Sequence, residues 1–126
     1  MSTILVVEDN ATNMELSTFL LESVGHIVVP ATSAESGLTL ALECRPDLIL
    51  MDIQLPGMDG LQATALLKSN EATRGIPVIA LTALAMKGDE ERIRAAGCDG
   101  YVAKPLAYKE FLVVIQEHLA KAGSAT

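Results

Sequence analysis

Leu48-Ile49-Leu50-Met51-Asp52-Ile53-Gln54-Leu55-Pro56-Gly57-Met58-Asp59-Gly60 is the stretch from which the rest of the chain can be read. A short unbroken aliphatic run suits a strand buried on both faces. Here the run is Leu48 to Met51, in a strand from about Asp47 to Met51, and an acid, Asp52, follows it directly. Pro56, Gly57, Asp59 and Gly60 are strong turn residues. Helical spacing then takes over from about Leu61 to Ser69. The unit is strand, polar group at the strand's C-terminal end, loop, helix.

The same unit recurs on both sides. Ile4 to Val7 is a short apolar run rich in β-branched residues, ending at Glu8-Asp9. Asn10 caps a helix from about Ala11 to Val24, with Met14, Leu16, Leu20, Leu21 and Val24 near helical spacing and Gly25 as its stop. His26 to Pro30 is a weaker strand, and Pro30 argues for a sheet edge. Ser33 caps a helix over Ala34 to Cys44, which Pro46 ends. Ile76 to Leu81 is the fourth strand, followed by Thr82. A polar helix spans about Met86 to Ala96 and stops at Gly97. Gly100 to Ala103 is the fifth strand, followed by Lys104-Pro105. The closing helix, Leu106 to Lys121, carries Phe111, Leu112, Ile115 and Leu119 on one face.

Strands alternating with helices imply right-handed crossovers and a parallel sheet between two helix layers. For five such units the expectation is a flavodoxin-like α/β/α sandwich with strand order 2-1-3-4-5. In that order the first and third strands are neighbours, and ligands bind outside the C-terminal ends of the strands. Asp9 then faces Asp52, with Thr82 and Lys104 coming in from the fourth and fifth strands. Residues 1–122 read as one domain and 123–126 as a flexible tail.

Bulk properties narrow the classes of function. The chain has 126 residues, half of them apolar, with two Phe, two Tyr and no Trp, so its core must be aliphatic. Nine basic against sixteen acidic residues leave a net charge of −7. That balance disfavours direct nucleic-acid binding, which needs Lys and Arg to neutralise phosphates. Cys44 and Cys98 fit no metal-ligand spacing and read as small core or helix residues of a cytoplasmic protein. No signal peptide or membrane-spanning run is expected.

Glu8, Asp9 and Asp52 would crowd negative charge at one point. Unit charges 4 Å apart repel by about 1 kcal/mol in bulk water and about 4 kcal/mol at an effective dielectric near 20. Lys104 offers one compensating charge, and all-oxygen ligation calls for a hard divalent ion, Mg²⁺ before Mn²⁺ or Ca²⁺. Asp52 is the acid expected to react, as a nucleophile toward phosphorus. Lys104 and Thr82 would hold phosphoryl oxygens. The chain has no GxxxxGK[ST] motif, so the phosphoryl group is expected from another protein or a small phosphodonor. A proline after Lys104 favours extended backbone there, which aims the side chain.

Four segments, VVEDN (Val6 to Asn10), LILMDIQLPGMDG (Leu48 to Gly60), PVIALTA (Pro77 to Ala83) and GCDGYVAKP (Gly97 to Pro105), closely resemble the receiver domain of two-component response regulators. ALAMKGDEERIRAAGCDGYVAKP further resembles the DivK-type single-domain receivers of cell-cycle and polarity control. The resemblance implies that Asp52 accepts phosphate from a sensor histidine kinase or a histidine phosphotransfer protein. It implies Mg²⁺ held by Glu8, Asp9, Asp52 and the backbone carbonyl of Gln54. Thr82 matches the switch hydroxyl, Lys104 the family's lysine, and Tyr101 the switch aromatic. An effector protein or kinase would then read the face of the fourth helix, fifth strand and fifth helix. Many members carry Asp-Asp where this chain has Glu8-Asp9.

The resulting expectation is a stand-alone signalling switch that catalyses at most its own phosphorylation and dephosphorylation. The competing enzyme reading is a Mg²⁺-dependent phosphatase with an aspartyl nucleophile. Haloacid-dehalogenase-like enzymes of that kind want an acid two residues past the nucleophile, where this chain has Gln54.

Overall fold

The computed structural model describes residues 2–55, 57–82, 87–104 and 108–124, with no side chain described at 87–89 or 121–124. Five strands alternate with five helices: β1 (Thr3–Val7), α1 (Ala11–Ser23), β2 (Ile27–Ala31), α2 (Ala34–Cys44), β3 (Leu48–Asp52), α3 (Gly60–Ser69), β4 (Val78–Thr82), α4 (Lys87–Ala95), β5 (Gly100–Ala103) and α5 (Tyr108–Ser124). The sheet is parallel throughout, in the order β2-β1-β3-β4-β5. The fold read from the sequence is therefore the fold of the structure.

Alternation along the strands sends side chains to two separate cores, because successive residues point to opposite faces. Leu5, Val7, Ile49, Met51, Val78 and Ala80 meet α2, α3 and α4 through Ala34, Ala41, Ala63, Leu67 and Ile93. Ile4, Val6, Leu48, Leu50, Ile79, Leu81 and Val102 meet α1 and α5 through Leu20, Leu21, Phe111 and Ile115. β3 and β4 are buried along their whole length. The register aligns the strand ends: Val7 pairs with Met51, Asp52 with Leu81, and Thr82 with Ala103.

The helix starts follow local chemistry. Asn10 accepts from the Asn13 N–H, Ser33 forms a capping box with Ser36, and Asp59 forms one with Gln62. Each such cap contributes about 1 kcal/mol. Gly25 and Gly97 stop α1 and α4 with φ of 90° and 106°, a region open to glycine but strained for other residues. Gly37 packs α2 onto Val7, where an added Cβ would lie 2.7 Å from a Val7 methyl.

Several boundaries move. β3 extends to Asp52 because Asp52 itself pairs with Leu81. β4 begins at Val78, since the Ile76 N–H closes a turn onto Thr73 O. α3 begins at Gly60, directly after its cap. On α1, Leu16 and Val24 are 40% and 52% exposed and do not join the core face. α5 is helical through Ser124, into the segment read as a tail. Met86, Pro105 and Leu106 lie outside the described residues.

Among the described residues, Ser17 Oγ on α1 is fully buried and makes no hydrogen bond. Ser17→Ala removes an unsatisfied hydroxyl and installs a better helix former. Its urea midpoint should rise, by about 1 kcal/mol of stability. A fall in the midpoint would mean the hydroxyl is satisfied in solution.

Candidate functional site

Three loops leave the C-terminal ends of β1, β3 and β5 and converge. Glu8 follows β1, and its N–H bonds to Ala31 O of β2 at 2.9 Å, which fixes its main chain. Asp52 closes β3, and Lys104 follows β5 with its N–H on Thr82 O at 2.7 Å. Glu8 and Asp52 are 1% and 2% exposed, whereas Asp9 is open to solvent. One carboxylate oxygen from each of the three acids lies within 4.8 Å of the others.

Lys104 Nζ is the positive charge at this point. It lies 3.0 Å from Asp52 Oδ2 and 2.9 Å from Glu8 Oε1. The contact with Asp52 is a hydrogen bond. Glu8 Oε1 sits beside the ammonium as an ion pair without accepting a well-aligned hydrogen bond. The other Asp52 oxygen, Oδ1, accepts the Gln54 N–H at 2.9 Å. Both Asp52 oxygens are therefore held, one by backbone and one by Lys104.

The electrostatics divide the two buried acids. Burial pushes the Glu8 carboxyl up, the neighbouring Asp52 adds to it, and its pKa reaches about 7 despite Lys104. Burial also works to raise Asp52. Its hydrogen bonds with Glu8, the Gln54 N–H and Lys104 outweigh that, and its pKa lies below the ordinary carboxylate value. Burial disfavours the charged Lys104, but its contacts with Glu8 and Asp52 outweigh burial and raise its pKa. The two shifts run in opposite directions, so Glu8 takes up a proton at a higher pH than Asp52 does, as expected when two carboxylates share a site.

This donor set fits a hard divalent cation. It offers only oxygens, it carries more negative charge than Lys104 offsets, and it leaves Glu8 Oε1 buried without a hydrogen-bond donor aligned to it.

Thr82 is buried at the end of β4, one residue beyond the partner of Asp52. Tyr101 lies further back on β5, half-buried against the α2–α3–α4 core and paired with Ala80. By strand alternation Thr82 and Tyr101 occupy the same face of the sheet. The sequence reading assembled the acids and Lys104 but missed two contacts: the Lys104 ion pair with Glu8, and the Gln54 N–H on Asp52. Neither leaves a trace in residue type or spacing.

The family model for the response regulator receiver domain matches residues 4–116. The chain is 50% identical over 119 residues to the polar-differentiation response regulator DivK of Brucella ovis, covering 94% of this chain and 97% of that one. A receiver domain of a sensor histidine kinase from Pseudomonas aeruginosa superposes with a TM-score of 0.88 at 37% identity, covering 94% of this chain and 98% of that one. That structure holds a magnesium ion coordinated in its active-site cleft. A receiver domain from Methanospirillum hungatei superposes with a TM-score of 0.91 at 27% identity, covering 100% and 99% of the two chains.

The Glu8 shift predicts a pH dependence. Folded Glu8 ionises near 7 against an ordinary 4.5. Between those values the native state binds the extra proton, so stability falls as pH rises, and the penalty is complete above about 7. Asp52 acts oppositely: its contribution is present above the ordinary 3.8 and is lost only in stronger acid. Burial lowers the His26 pKa from 6.5, which tilts stability the other way in the lower part of the window. A comparison of metal-free wild type with Glu8→Gln cancels the His26 effect. Between about pH 5 and pH 8, wild type should lose on the order of 2 kcal/mol relative to Glu8→Gln, read from urea midpoints. Parallel profiles for the two proteins would contradict a protonated Glu8.

Proposed function

Because this chain belongs to the response regulator receiver family, we propose that it is a phosphorelay switch whose Asp52 accepts a phosphoryl group from a histidine kinase or a histidine phosphotransfer protein. The observation that carries this reading is Lys104 Nζ within 3.0 Å of both Asp52 and Glu8, at the edge where Asp9 also converges. Glu8, Asp9, Asp52 and the Gln54 carbonyl would hold Mg²⁺. When bound, the ion supplies charge neutralisation for the phosphoryl oxygens.

The chain's own residues do the rest. The carboxylate of Asp52 is already desolvated and ionised, which suits a nucleophile. One of its oxygens forms the bond to phosphorus as the donor's P–N bond breaks. The electron pair goes to the imidazole nitrogen, and the product is an aspartyl phosphate. Lys104, released from Asp52, follows the charge onto a phosphoryl oxygen. Thr82 donates its hydroxyl to another. Tyr101, on the same sheet face as Thr82, turns inward as Thr82 moves and carries the change to the surface of α4, β5 and α5. A partner protein or kinase reads that surface. The 50% identity to a polar-differentiation regulator supports a role in cell-cycle or polarity control. Among the described residues no helix is long and apolar enough to cross a membrane. We place the switch in the cytoplasm, where phosphodonor kinases present their phosphohistidine.

Incubation with Mg²⁺ and acetyl phosphate, followed by intact-mass analysis, tests the acceptor. Wild type should gain about 80 Da, the mass of one phosphoryl group in an acyl phosphate, and Asp52→Asn should gain nothing. An equal adduct on both proteins would move the acceptor elsewhere. Lys104→Ala should still bind Mg²⁺, because its loss leaves the acids in place, yet the phosphorylated variant should lose most of the gain in partner affinity. Full partner affinity in that variant would remove Lys104 from the switch.

A further inference from the structure

Gly60 stands where a glycine is unfavourable. It is the first residue of α3, directly after the Asp59 cap, and glycine is a poor helix former. Its φ is not in the left-handed region, so backbone conformation does not require it. The close approach does. A Cβ at Gly60 would lie 2.2 Å from Asp52 O, 2.7 Å from Ile53 Cα and 2.8 Å from Asp52 C. All three are backbone atoms, so no rotamer change relieves the clash.

The first turn of α3 therefore touches the main chain of Asp52 itself. The segment leaving β3 at Ile53 and entering α3 at Asp59 begins and ends at one point. Gln54 lies in it, with its N–H on Asp52 Oδ1 at 2.9 Å. The helix end is tied down as well. Thr64 Oγ1 donates to Gly60 O at 2.7 Å inside the core, and the Cys98 thiol meets Thr64 Oγ1 at 3.8 Å.

We propose that Gly60 is a positioning residue for the acidic site: the missing side chain lets α3 close the base of the 53–59 segment and so holds Gln54 against Asp52. β3 cannot yield to an added methyl group, because it is buried and paired on both sides. The start of α3 must retreat instead. The Asp59 cap is bonded into that first turn through Gln62, so the retreat draws the segment with it. The Gln54 N–H then leaves Asp52 Oδ1, and the Gln54 carbonyl leaves the metal position. This deepens the reading of Asp52 and Gln54 given above and rests on it for its consequence in metal binding.

Gly60→Ala tests the idea by two readouts, with Gly75→Ala, where an added Cβ meets nothing within 4 Å, as the control. In metal-free protein the Gln54 amide should exchange with solvent faster by NMR, while the core amides of β3 keep their protection. Mg²⁺ affinity, by calorimetry, should fall about tenfold, as for residues that orient metal ligands. Wild-type exchange at Gln54 together with wild-type Mg²⁺ affinity would overturn the proposal. If Gly60→Ala does not fold, Thr64→Val and Thr64→Ser decide. Loss of affinity in the valine variant with retention in the serine variant supports the role, and equal affinities overturn it. A wild type that binds no Mg²⁺ would defeat the reading of the site, while Gln54 exchange would still judge Gly60.

Discussion

Like charges forced together at the edge of a rigid sheet are the constraint on which the rest depends. Glu8 and Asp52 are both nearly out of water, and removing even one carboxylate from water costs several kcal/mol unless it is paired. One ammonium cannot satisfy both. Burial and the neighbouring Asp52 raise the Glu8 pKa to about 7, whereas Lys104 and the Gln54 N–H help to hold Asp52 below the ordinary carboxylate value. A cation placed beside these acids would change that balance, because it favours their charged forms.

Rigidity keeps the charges from drifting apart. β3 and β4 are buried along their length, and each is paired on both sides. Glu8 and Lys104 are fixed at their main chains by single backbone bonds to the neighbouring strands. At the other end of the sheet, Lys68 Nζ ties Asp99 Oδ2 to the carbonyls of Arg74 and Ile76, and the same Asp99 oxygen accepts the Val78 N–H. That polar pin locks α3, the start of β4 and the turn before β5 together. The acids therefore stay crowded because the strands beneath them cannot separate.

Glu8 has a further consequence. Its side chain brings Oε1 to Lys104 and lies beside Asp52. Lys104 is thus shared between two acids. Gln54 bears on the function as well. Its amide side chain cannot serve as the acid that an aspartyl phosphatase uses at this place, whereas its backbone N–H is engaged with Asp52.

Much of this was legible in the order of residues. Short apolar runs ending in Glu8-Asp9, Asp52, Thr82 and Lys104 specify parallel strands. Parallel strands with right-handed crossovers leave few topologies, so the fold and the gathering of the four groups follow from local pattern and chirality. Asn10, Ser33 and Gly25 mark helix ends because caps act over three or four residues. The exposure of Leu16 and Val24, the raised pKa of Glu8, the shared Lys104 and the contact of Gly60 with Asp52 were not legible. These are distances between segments far apart in the chain, set by how closely helices settle on the sheet. Residue type and spacing determined which groups meet, because secondary structure is local. Only the packed tertiary structure decided how near they come and which of them carries charge, because desolvation and Coulomb energies depend on ångström distances that no sequence period encodes.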